Sequence, residues 1–277
     1  MKRKFKHILS GNFPSGLLIV LIFLLSCTGG EHEEYYNEQG NLVVKEWYNR
    51  SSLKSSITYL DTGLKNYLYV AYHPDGRLKD SAKYINDTIE GLRKFYDPSA
   101  GLTHYENYRN GILNGVHKAE YNSGVTSFEG FRKNNQMVGE WKFHFLSGKP
   151  ITYEYYDSIG KLLYFRKYDE NENVLKATGT ELINVFTDHD GVSVNEICSG
   201  YVEAATPNHC ELFLTIAEGS SSQVLFSKNI ENPITYWEII FDDPGEKKLE
   251  FNLLVKDKKS GDSQSYSIHQ NIMVIAD

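Results

Sequence analysis

Hydrophobic and polar residues alternate along most of this chain with a period of two, the pattern of half-buried β-strands. Trp141, Phe143 and Phe145 alternate with Glu140, Lys142 and His144, and Ile151, Tyr153 and Tyr155 alternate with Thr152 and Glu154. Further along, Leu212, Leu214 and Ile216 alternate with Phe213 and Thr215. Thr235, Trp237, Ile239 and Phe241 mark another such face, and Leu249, Phe251, Leu253 and Val255 a third. Within residues 35–176 no apolar run holds a helical period for ten residues, so strands are expected there throughout.

Turn-type residues interrupt these runs about every dozen positions, at Gly40, Ser52, Gly63, Gly76, Asp87, Gly101, Gly111, Gly124, Asn135, Gly148 and Gly160. Gly, Asn and Asp tolerate the positive φ that tight hairpin turns demand. Alternate turns repeat more strictly. Gly63, Asp87, Gly111 and Asn135 are 24 residues apart each time, and Gly91, Gly115 and Gly139 keep the same interval. A strand of about eight residues and a short turn, repeated, builds an antiparallel meander. No single unit can bury its aromatic face alone, so neighbours must stack.

The residues at these turns resemble a known repeat. Tyr108-Arg-Asn-Gly111-Ile-Leu-Asn-Gly115 and Tyr84-Ile-Asn-Asp87-Thr-Ile-Glu-Gly91 are similar to MORN-type repeats, in the bacterial variant found among antitoxin-like repeat proteins. Tyr72-His-Pro-Asp-Gly76-Arg-Leu and Tyr156-Asp-Ser-Ile-Gly160-Lys-Leu resemble the other half of that repeat. The resemblance spans residues 35–176, with Tyr67 in place of an expected glycine and Asn135 in another glycine position. It implies a β-meander used for scaffolding and contact, and no catalytic residue.

Residues 181–277 are expected to form a second domain. Seven short strands, near 183–187, 192–202, 211–216, 223–227, 235–241, 248–255 and 266–275, suit a β-sandwich. Asp243-Pro-Gly-Glu-Lys-Lys-Leu-Glu-Phe251 resembles the turn into the sixth strand of immunoglobulin-like domains, which implies that Phe251 is a core residue. The expected fold class is therefore all-β: a repeated antiparallel β-hairpin meander followed by a β-sandwich.

The first thirty residues carry an address. Lys2, Arg3, Lys4 and Lys6 precede the apolar run Leu17 to Leu25, too short for a comfortable membrane span and typical of a secretory signal at 1–26. Leu24-Leu25-Ser26-Cys27 resembles the lipobox of bacterial lipoproteins. That implies lipid attachment at Cys27, membrane anchoring through its acyl chains, and, with Thr28 rather than aspartate next, the outer membrane. Residues 27–34, with Glu31, Glu33 and Glu34, read as an acidic tether, and the anchor's periplasmic or cell-surface side stays open.

Composition narrows the function. The net charge of -7 lacks the basic stripe of a nucleic-acid binder. Of 20 tyrosines, 17 lie between Tyr35 and Tyr168. Tyrosine is amphipathic and enriched at interfaces, so Tyr155, Tyr156 and Trp141 are candidate binding residues. Adjacent tyrosines must face opposite sides of a strand, which places one of Tyr155 and Tyr156 off the core face. Cys198 and Cys210, 12 apart, are a disulfide candidate in an oxidising compartment; the alternative is two free thiols. His209 beside Cys210 lacks the further ligands of a zinc site, and Asp188-His189-Asp190-Gly191 reads as a turn rather than a calcium loop. No nucleophile elbow, phosphate loop or metalloprotease motif occurs, Asp242-Asp243 falls in a turn, and neither a cofactor nor a metal is expected. The expected function is a non-catalytic binding or scaffold lipoprotein with a protein or glycan partner. The alternatives are an antitoxin- or immunity-like protein that covers a toxin, and a glycan-active envelope enzyme.

Overall fold

The computed structural model describes residues 31–219 and 223–276; the expected signal segment at 1–26, Cys27 and residues 28–30 lie outside the described residues. Every regular element among the described residues is a strand. The described residues divide into two compact units, one up to residue 89 and one from residue 90 onward.

The first unit is a meander of β1 (His32–Tyr36), β2 (Leu42–Asn49), β3 (Ser52–Tyr59), β4 (Tyr67–Tyr72), β5 (Leu78–Ile85) and β6 (Thr88–Ile89), each strand antiparallel to the next. Part of the acidic tether segment belongs to β1, where His32 pairs with Glu46. The second unit opens with another meander: β7 (Gly91–Asp97), β8 (Leu102–Arg109), β9 (Ile112–Tyr121), β10 (Thr126–Lys133), β11 (Gln136–His144), β12 (Pro150–Tyr156), β13 (Leu162–Tyr168) and β14 (Val174–Thr178).

Two kinds of turn alternate. At Asn86-Asp87, Asn110-Gly111 and Asn134-Asn135 both central residues have positive φ, as a two-residue primed hairpin turn requires. At Tyr121–Val125 and Phe145–Lys149 the amide of the fourth residue donates to the carbonyl of the first, and that fourth residue, Gly124 or Gly148, is left-handed. This is a three-residue hairpin loop closed by a glycine bulge. The exception in the 24-residue series is the first member: Leu64, not Gly63, takes the left-handed conformation. Side-chain acceptors recur beside these turns. The amide of Asn86 donates to Asn66 Oδ1 at 2.8 Å, and 24 residues later that of Asn110 donates to Glu90 Oε2 at 2.7 Å.

The rest of the second unit is a sandwich. It comprises β15 (Leu182–Thr187), β16 (Gly191–Ser193), β17 (Ile197–Ala204), β18 (Cys210–Glu218), β19 (Gln223–Ile230), β20 (Ile234–Ile240), β21 (Gly245–Asp257) and β22 (Ser263–Ile275). One sheet has the order β15-β17-β20 and the other β16-β22-β21-β18-β19. The alternating faces read from sequence are the buried ones: Leu212, Leu214, Ile216, Trp237, Ile239, Leu249, Phe251 and Leu253 share one core. The expected single strand at 192–202 is two strands. Asn195 breaks it with φ +63°, so that β16 lies parallel to β22 while β17 joins the other sheet. Period-two alternation is blind to such a change of sheet.

The Cys198–Cys210 disulfide does not form; both thiols are free. Cys198 pairs with Ile239 in the three-stranded sheet, and Cys210 pairs with Asp257 in the five-stranded one. Six residues of β17 separate Cys198 from the end of its strand, about 20 Å, whereas Cys210 opens the next strand just past the connecting loop. The 12-residue spacing spans a crossover between sheets rather than a hairpin.

Candidate functional site

The two aromatic runs of the central repeats face opposite sides of the second unit's meander. Cross-strand partners share a face, and Trp141 is opposite Glu154 while Tyr155 is opposite Glu140. One face thus carries Phe95, His104, His117, Phe128, Trp141 and Phe143, and the other carries Tyr153, Tyr155, Tyr164 and Tyr168.

The first face is a ladder of rings crossing five strands. Phe95 stacks on His104 with centroids 4.6 Å apart, and Phe128 contacts His104, His117, Trp141 and Phe143 at 5.1–6.1 Å. Trp141 lies flat across its neighbours: its Nε1 donates to the Phe131 carbonyl at 3.2 Å, and the Arg132 guanidinium covers the ring at 5.2 Å. Gly130 makes room for it, since a Cβ there would sit 2.2 Å from the indole. Trp141 is buried, whereas Phe95, His104, Phe128 and Phe143 remain part-exposed.

A polar network runs along the same face. The Tyr108 hydroxyl donates to Glu106 at 2.8 Å, and Arg93 is 3.7 Å from the same carboxylate. Arg132 Nε donates to His117 Nδ1 at 2.8 Å, which leaves the proton of the neutral ring on Nε2, 3.5 Å from Glu106. Burial, assisted by Arg132, pulls the His117 pKa down to about 4 against the opposing pull of Glu106. His104 and His144 are also lowered, chiefly by burial.

On the opposite face, tyrosine hydroxyls tie β12 and β13 to the sandwich. Tyr155 donates to Glu203 at 2.6 Å, Tyr164 to Glu181 at 2.7 Å, and Tyr168 to the Asn208 carbonyl at 3.2 Å. Tyr153 donates to Glu140 at 2.5 Å and accepts from the Thr206 amide at 2.7 Å. These rings pack with Ala205 and Ile183 in a second core. Burial, followed by the neighbouring carboxylates, pushes the phenols of Tyr153 and Tyr164 far above their usual range, so they stay protonated donors.

Beside this seam lies a cavity of about 390 Å³. Arg166 reaches it from β13, paired with Asp257 and donating to Cys210 Sγ at 2.9 Å. The Cys210 thiol is pushed up to about 11, mainly by burial, so it is not a ready nucleophile. His209, left-handed at φ +66°, pairs with Glu172 at 2.5 Å on the rim. Among the described residues no group of three His, Cys, Asp or Glu side chains could hold a metal ion.

In the first unit, Tyr59, Tyr67 and Tyr84 pair across three strands, with the Tyr67 and Tyr84 rings stacked at 4.7 Å. With Tyr69, Leu64 and Asp87 they line a shallow cleft of about 360 Å³.

The structure therefore separates the sequence-selected residues. Trp141 and Tyr155 are interior, so neither offers its ring to a partner, and only Tyr156 stays part-exposed, its hydroxyl bound to Glu154 at 2.6 Å. Glu106, Arg166 and Glu181 were missed. Two of them left a signal: Glu106 has the strand parity of His104, and Arg166 that of Tyr164 and Tyr168, so each places a charge on an aromatic face. Asp188-His189-Asp190 forms the turn before β16, its Asp188 accepting from the Ser199 hydroxyl. Compared with known proteins, the chain matches no family model, and no curated protein matches it.

Proposed function

We propose that this chain is an exported, lipid-anchored binding protein of the outer membrane or cell surface that meets its partner, a protein or glycan, through the ladder face of its central repeats. One observation carries the reading. The sandwich takes up the Tyr153–Tyr168 face, while Phe95, His104, Phe128 and Phe143 keep ring surface exposed on the other. A row of part-exposed aromatics beside Arg132 and Glu106 combines apolar area with directional polar groups, the composition of interface centres. The MORN-type reading is supported by the primed turns at Asn86-Asp87, Asn110-Gly111 and Asn134-Asn135, 24 residues apart, and by amide-to-side-chain hydrogen bonds at the first two of them. The immunoglobulin-like reading is supported by an edge split between both sheets, with β16 parallel to β22 and Trp237 packed on Phe251 at 5.3 Å. The lipobox at Leu24–Cys27 supports the anchor.

The test joins address to contact. Cells carrying a tag after Asp277 are treated with protease, with Cys27→Ala as the comparison, and the detergent-released protein is assayed for partner capture alongside a Phe128→Ser/Phe143→Ser variant. Membrane association lost with Cys27→Ala and capture lost with the double variant are expected. Capture unchanged by that variant would move the contact to another surface, and a Cys27→Ala protein that stays membrane-bound would remove the anchor.

A further inference from the structure

We propose that the outer face of the three-stranded sheet β15-β17-β20 docks a cationic, arginine-bearing segment of a partner protein. This face belongs to the sandwich and does not depend on the ladder binding anything. Cross-strand pairing lays it out in rows. Phe186, Tyr201 and Tyr236 form an aromatic row, the first pair stacked at 4.5 Å and the second tilted at 6.0 Å. On one side of that row Glu238 lies opposite Ser199, whose hydroxyl donates to Asp188. On the other side Glu203 lies opposite Asn184 and Ile234. Ile197 and Ile240 pair at the far end.

The face is apolar where a sheet would ordinarily meet water. Tyr236 is 70% exposed and Ile240 60%, with Ile197, Ile234 and Phe186 exposed beside them. Contiguous apolar surface of this kind marks an interaction site. Edge strands are commonly blunted by lysine, as β19 is by Lys228, yet β20 ends its own sheet without one. The charge of the face is one-sided as well. Residues 181–206 and 230–244, which contain β15, β17 and β20, hold nine acids and no lysine or arginine. Elsewhere the chain pairs its own acids, as Glu120 with Lys118, Glu140 with Lys142 and Glu211 with Lys258. Among the described residues Asp188, Glu203 and Glu238 pair with no cation. Rings set between unneutralised carboxylates suit arginine above all, because a guanidinium stacks on an aromatic ring and pairs with a carboxylate at once. Tyr236 and Glu238, two residues apart on one side of β20, lie about 7 Å from each other, within the span of one such side chain. An open sheet face encloses no small molecule, whereas a width of three strands, about 10 Å, accepts an extended segment. A second copy docked about a two-fold axis would set acids against acids, and nucleic acid or an anionic membrane would be repelled.

Fluorescence anisotropy with the full chain tests this, using labelled peptides in which Arg-Thr, Lys-Thr or Glu-Thr is repeated four times. Saturable binding is expected for the arginine peptide, weaker binding for the lysine peptide and none for the glutamate one. Asp188→Asn/Glu238→Gln should weaken the arginine peptide by about tenfold and flatten its salt dependence. Tyr236→Ser, at an exposed position, should weaken it by about fivefold while leaving the salt dependence in place. Glu246→Gln/Glu250→Gln removes the same charge from the other sheet and should change nothing. The Phe128→Ser/Phe143→Ser protein should bind the arginine peptide normally, which separates this face from the ladder. Equal weakening by the Glu246/Glu250 variant would reduce the binding to net charge and overturn the proposal. So would arginine-peptide binding that is absent or indifferent to Tyr236→Ser, or a dimer in sedimentation that Tyr236→Ser dissolves, which would give the face to a second copy.

Discussion

In the sandwich, aliphatic side chains from β18 and β21 meet Trp237 and Ile239 of the opposing sheet, and a two-layer core closes around them. In β7–β11 the same period-two alternation leads to a different solution. There the ladder rings pack on one another and over their own sheet, so that one large residue, Trp141, achieves the burial that in the sandwich requires a facing layer. The contrast explains the tyrosine and phenylalanine content of the repeats. A ring can cover the backbone of the next strand, 4.7–4.9 Å away, whereas a leucine cannot reach past its immediate neighbour. A repeat array without a second layer thus has to be aromatic, and its rings stay part-exposed.

Three substitutions would break or sharpen this contrast. The largest effect belongs to the closed core: Phe251→Ala, at a position with no exposed surface, should cost about 4 kcal/mol and lower the urea midpoint of the sandwich. Trp141→Ala should cost about 3 kcal/mol and act more locally. Hydrogen exchange should speed up in β9–β11 while β18 and β21 keep their protection. Equal acceleration in the sandwich would mean that the tyrosine seam couples the two regions into one cooperative unit.

The third effect depends on pH. His117 has a folded pKa of about 4 against a reference of 6.5, so the unfolded chain binds the extra proton first as the solution is acidified. Stability from this group is intact above pH 6.5 and is lost as pH falls toward 4, on the order of 2 kcal/mol in all. His117→Gln should flatten that part of the melting-temperature profile, and a slope unchanged by the substitution would assign the acid sensitivity to His104 and His144.

Much of this was readable in the residues. The 24-residue spacing of Asp87, Gly111 and Asn135 located the primed turns because left-handed backbone restricts residue choice strongly. Alternation in 212–216 and 249–255 identified the sandwich core for the same local reason. What alternation does not encode is which face of one strand matches which face of the next. Trp141 and Tyr155 therefore looked equivalent although they point to opposite sides, and only register separates them. The free cysteines and the divided strand at Asn195 share that origin, since both depend on which sheet a strand enters. The cavity was less legible still, because Arg166 of β13, Glu181 of the loop before β15 and Asp257 at the end of β21 are far apart in sequence.

The repeat has a consequence for how such a chain can change length. Each 24-residue period contributes two strands, so gaining or losing one whole period alters the sheet's width by about 10 Å and returns every later strand to its original direction and face. Adding a single strand of a dozen residues would instead reverse the course of everything that follows, so that the chain leaves toward the sandwich from the opposite end of the strands. The reach of the array is graduated like a ruler, and only even marks leave the end module on the same side of it.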